Sequence, residues 1–161
     1  YQKECACYIN DHRTCSWGLI RSLWGLIRIP VSYRNKEIQK AIDSGIIFVL
    51  EKYSFVEANF PMEDGGKIHP LWSKMSFPLF YQSDILFFFI FLAELDLLNH
   101  PKAQVAIDWL LARRQNNGHF KGSNPFRSRT WPVISDKEDN DRWITLFAMD
   151  ILQKAGRKEL I

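Results

Sequence analysis

From Cys15 onward apolar side chains return every three or four residues: Leu19, Ile20, Leu23, Trp24 and Ile27. That period predicts a helix from Cys15 to Ile29, stopped by Pro30. A second helix is predicted over about Asn35 to Glu51, with Ile38, Ile42, Ile46, Val49 and Leu50 on its apolar side. Gly45 lies inside it and weakens it by about 1 kcal/mol relative to Ala, which is understandable where another helix must come close. Ser83 or Asp84 then caps a third helix, reaching to Leu98, that is apolar on all sides and so must be covered by neighbours. A fourth, Lys102 to Arg114, is expected to bury Val105, Ala106, Trp109 and Leu110. A fifth, Arg142 to Ala155, sets Ile144, Phe147, Ala148, Ile151 and Leu152 on one face.

The pattern recurs. Ala41-Ile42-Asp43 follows the first helix after a short turn, and Ala106-Ile107-Asp108 follows the third in the same way. Connections are short inside each helical pair and long between pairs (Tyr53 to Phe80 and Asn116 to Asp141), and long connections of this kind are often functional. The expected class is all-α: an array of about five main helices, stacked as α-hairpins that bury one another's apolar faces, with the long connections gathered at one pole. The reading is a single domain over 1–161, with residues 1–14 irregular. Tyr1 in place of Met at position 1 is what a processed chain or a fragment would show.

Composition narrows the function. An apolar content of 47% fits a packed core, and the formal charge of +3 is spread through the chain without a basic stripe interleaved with aromatics, so nucleic acid is not an expected partner. The apolar run Ile85 to Ala93 is shorter than the roughly 20 residues a transmembrane helix needs, and Glu94 and Asp96 close it. A cytoplasmic protein without a membrane span is expected.

All three cysteines fall in the N-terminal segment, as Cys5-x-Cys7-x4-His12-x2-Cys15. Four such ligands so close together could wrap one zinc ion tetrahedrally, although Cys-x-Cys is tighter than the usual finger spacing. Loop thiols, with Cys15 buried at a helix start, remain the alternative. A disulfide would leave one cysteine over.

Leu110-Leu111-Ala112-Arg113-Arg114-Gln115-Asn116-Asn117-Gly118-His119-Phe120 resembles the glutamine–tryptophan repeat of the prenyltransferase/squalene-cyclase family, with Phe120 in place of Trp. His69-Pro70-Leu71-Trp72, the stretch Phe77 to Asp84, and Thr14-Cys15 leading into Trp17 resemble bacterial stand-alone members. The resemblance implies an α/α toroid, here a partial ring, either a fragment of a larger toroid or a ring completed by another copy. Prenyltransferases of this fold bind zinc through Asp, Cys and His from separated helices. Asp11, His12 and Cys15 match those types but stand together, so that role is not carried over.

The acidic run Asp136 to Asp141 invites comparison with the aspartate motif that protonates squalene, a role that needs a carboxylic acid kept protonated by burial. The run is hydrophilic and contains Lys137; it reads as a solvated loop in which Asp141 supports the following helix N-terminus. No aspartate-rich diphosphate motif is present. Tyr81, Gln82 and Asp84 enter the most buried helix, and with Trp17, Trp72, Trp131 and Trp143 they form a candidate aromatic pocket for an apolar or cationic ligand. Asp84 and Tyr81 are the only candidates there for a catalytic role. The alternative is that Ser83 and Asp84 cap a helix and the tryptophans fill the core. His69 and His119 stand in loops without an evident partner, and His100 before Pro101 reads as a turn residue.

Binding of an apolar small molecule, or of a second copy in a homo-oligomer, is the function these features favour. An enzyme acting on an isoprenoid or lipid, or a purely structural domain, are the alternatives. If the N-terminal cluster holds zinc, protein purified without added metal carries near-stoichiometric zinc by atomic emission. The Cys7→Ser/Cys15→Ser variant then loses it; no metal in either protein makes these cysteines loop thiols.

Overall fold

The computed structural model describes residues 16–52, 72–79, 83–123 and 137–157. Among them the protein is all-α. The helices are α1 (Ser16–Ile27), α2 (Lys36–Lys52), α3 (Ile85–Glu94), α4 (Gln104–Leu111) and α5 (Lys137–Lys154), with 3-10 turns at Val31–Tyr33, Trp72–Lys74 and Pro101–Ala103. No helix among the described residues is long and apolar enough to cross a membrane. The chain divides into two compact units, α1 with α2 in the first and α3 to α5 with the 72–79 segment in the second.

In the first unit α1 and α2 pack as a hairpin, with Ile20 and Leu23 buried on α1 and Ile42, Val49 and Leu50 on α2. At Gly45 the two lie close: a Cβ there would overlap Leu23 Cδ2. The close contact expected of that glycine is therefore present. The helix α1 ends at Ile27 and not at Ile29. Ile29 precedes Pro30, which disfavours helical backbone at that position, and the freed carbonyls need donors. Arg34 supplies them, its Nη2 donating to Ile27 O at 2.7 Å and its Nε to Ile29 O at 2.8 Å. The same guanidinium reaches Gln39 Oε1 on α2 through Nη1 at 3.5 Å. Asn35, predicted as the first helical residue, is the N-cap of α2, accepting the Ile38 N–H at 2.8 Å.

The second unit is built round α3. Ile85, Leu86, Phe87, Phe88, Phe89, Phe91 and Leu92 are all buried, so the helix is covered on every side as its composition requires. It stops at Glu94, short of the expected Leu98. Asp96 takes a left-handed conformation (φ 57°), and the Leu97 N–H turns back to Leu92 O at 2.9 Å. Aspartate tolerates that conformation better than most residues. Below it, α5 packs on both α3 and α4, burying Ile144, Ala148, Ile151 and Leu152.

Two expectations are corrected in this unit. From Lys137 on, the acidic run is helical and not a loop: α5 begins there, so Asp139 stands in its first turn, where negative charge favours a helix N-terminus. Val105, expected in the core, is 66% exposed, and Ile107 is buried instead. Trp109 is half-buried beneath the Arg113 guanidinium, 3.9 Å from its ring centroid.

The repeat is one residue type longer than the Ala-Ile-Asp triplet suggests. Both copies read Gln-x-Ala-Ile-Asp, Gln39 to Asp43 and Gln104 to Asp108. Ala41 lies five residues after the start of its helical segment at Lys36, and Ala106 lies five after Pro101. Ile42 and Ile107 are buried in both copies, and Ala106 is buried in the second. Each glutamine sits beside an arginine. Gln39 meets Arg34, as described, and donates to Asp43 Oδ1 at 2.8 Å. Gln104 accepts from Arg157 Nη2 at 3.3 Å and donates to Leu98 O at 3.0 Å, while the same Nη2 lies 2.6 Å from Asp108 Oδ1. The Arg157–Asp108 pair is largely open to water, so it adds at most about 1 kcal/mol.

Arg34→Ala leaves two carbonyls of the α1 end without their donor and is expected to destabilise the first unit by about 1–2 kcal/mol in urea unfolding. Arg34→Lys should recover less than half of that loss, because a single ammonium cannot reproduce the fork. Full recovery by lysine would show that charge, not the two-carbonyl geometry, is what matters.

Candidate functional site

Within the second unit, parts of both long connections meet over the N-terminal ends of α3 and α5. The 72–79 and 119–123 segments run side by side, the Ser123 N–H donating to Met75 O at 2.9 Å, with Ser76 and Ser123 forming a parallel bridge. These stretches belong to the two long connections, Tyr53 to Phe80 and Asn116 to Asp141.

One carboxylate fixes each segment. Asp84 is the N-cap of α3 and is only 3% exposed. Its Oδ1 accepts the Phe87 N–H at 3.0 Å and its Oδ2 accepts the Ser76 N–H at 2.6 Å. One oxygen starts the helix and the other holds the loop. On α5, Asp141 Oδ1 accepts the Gly122 N–H at 2.6 Å. One turn on, Thr145 Oγ1 accepts the Phe120 N–H at 2.9 Å and donates to Asp141 O at 2.6 Å. Gly122 has no room for a side chain: a Cβ would lie 2.9 Å from Ile144 Cγ1 and 3.1 Å from Asn140 O. Asn140 beneath it is buried.

The Arg114 to Phe120 stretch forms the tight turn that feeds this arrangement. The Gly118 N–H donates to Gln115 O and the Gln115 N–H to His119 O, both at 2.8 Å. Gly118 has φ 83°, a conformation that favours glycine, and Arg114 Nε donates to its carbonyl at 3.3 Å. Phe120, two residues on, is fully buried.

At the edge of the loop pair three rings cluster. Phe77 stacks on Trp143 with centroids 4.9 Å apart and planes 20° from parallel. Phe147 completes the group, 5.8 Å from Phe77 and 6.2 Å from Trp143. This cluster is not sealed: Trp143 is 44% exposed, and Leu146 on the same helix is 57% exposed.

The predicted site residues are dispersed among different environments. Trp143 is on the exposed cluster. Trp72 is fully buried and packs against Phe88 at 6.1 Å, a core position. Asp84 is buried as a cap. Trp17 lies on α1, in the other unit. Tyr81, Gln82 and Trp131 lie outside the described residues, as do Cys5, Cys7, His12, Cys15 and His69. His119 is exposed, and His100 caps the Pro101–Ala103 turn through Nδ1, which accepts the Lys102 N–H at 3.2 Å. Among the described residues no three His, Cys, Asp or Glu side chains are placed to hold a metal ion. Phe77 and Leu146 were not anticipated. Trp143 and Phe147, four apart on one helix, carried the only signal of the cluster that the sequence offered.

No family model matches this chain, and neither a curated protein nor a solved structure matches it.

Asp84→Ala removes a helix cap and strands the buried Ser76 N–H, so a loss of about 2–4 kcal/mol is expected by chemical denaturation. An unchanged midpoint would contradict the structural role assigned to this carboxylate. Gly122→Ala forces its Cβ into backbone as well as Ile144 and is expected to destabilise by about 1–3 kcal/mol, read from the same unfolding curves.

Proposed function

We propose that the second unit is a binding module for an apolar ligand of isoprenoid type, seated on the Phe77–Trp143–Phe147 cluster. The observation that carries this reading is the half-exposed Trp143 ring stacked on Phe77 beside exposed Leu146. Exposed large apolar groups in a contiguous patch mark interaction sites more often than isolated ones do. The platform is also held in place from below, because Asp141 and Thr145, on the same helix as Trp143, bind the neighbouring loop. Ligand binding would therefore not have to order the rings first.

The likeness of the Gln115 to Phe120 turn to the prenyltransferase/squalene-cyclase repeat supports the choice of an isoprenoid as ligand class, and an α/α toroid-like arrangement of the hairpins is part of the same reading. A catalytic role for Asp84 finds less support, since both of its oxygens already accept backbone N–H groups. Zinc held by Cys5, Cys7, His12 and Cys15 rests on their spacing alone. A cytoplasmic location rests on an odd cysteine count that a disulfide framework would not favour.

Farnesol titrated into the full chain by calorimetry should show saturable binding, weakened roughly tenfold by Trp143→Ala, which corresponds to about 1.4 kcal/mol, and little changed by Trp143→Phe. The unfolding midpoint of Trp143→Ala should stay close to that of the parent protein. Absence of binding, together with a concentration-dependent dimer that Leu146→Asp abolishes, would replace the ligand with a second copy of the chain.

A further inference from the structure

No further inference is drawn: the strongest candidate, the Gln39–Asp43 side-chain cluster on α2 that repeats the Arg157-binding pair of α4, carries nothing because Arg34 and Gln39 of the same unit already meet its polar atoms.

Discussion

A helix that is apolar on every side has no face to give to water. In the second unit α3 imposes that condition, with Phe87, Phe88, Phe89 and Phe91 in succession along a ten-residue element. Packing must come from all round it: α5 on one side, and Trp72 against Phe88 on another. Covering the helix also buries its first turn, where backbone N–H groups have no partner within the helix. A dry helix end without acceptors would be costly. Asp84 answers both needs at once. It caps the helix and, with its second oxygen, draws in the loop that covers it.

The same solution recurs on α5, in a different form. There the loop is held from within the helix, by Asp141 and Thr145, and the close approach is possible because residue 122 is glycine. Two loops fixed independently to two helices are then joined to each other through Ser123 and Met75. Irregular backbone in this region is thus tied at several points, which is how a loop surface can be rigid without being a sheet. Trp143 and Phe147 emerge from the turns of α5 next to those ties. The position of the aromatic cluster follows from how the core is closed.

The existence of the five α-helices among the described residues was legible in the period of apolar residues, and the all-round burial of α3 in its composition. Helix ends were less so, because each depends on a contact outside the helix or on one residue's backbone preference. The α1 end turns on Pro30 and the reach of Arg34, and the α3 end on Asp96 accepting a left-handed conformation. The start of α5 was misplaced because a run of charges reads equally well as a solvated loop or as an acidic first turn. Asp84 was identifiable as a cap from its place before an apolar run. Its bond to Ser76, the pairing of Phe77 with Trp143, and the reach of Arg157 to Gln104 were not, since each joins residues that only the folded chain brings together.

The loop pair is part of the folded core and presents its aromatic edge already formed. Native-state hydrogen exchange tests it most directly, through the amides of Ser76, Phe120, Gly122 and Ser123. These four are expected to exchange only with the opening that also exposes the α3 amides, and with the same denaturant dependence. Exchange of the four amides at rates of an unprotected chain, while α3 stays protected, would contradict it.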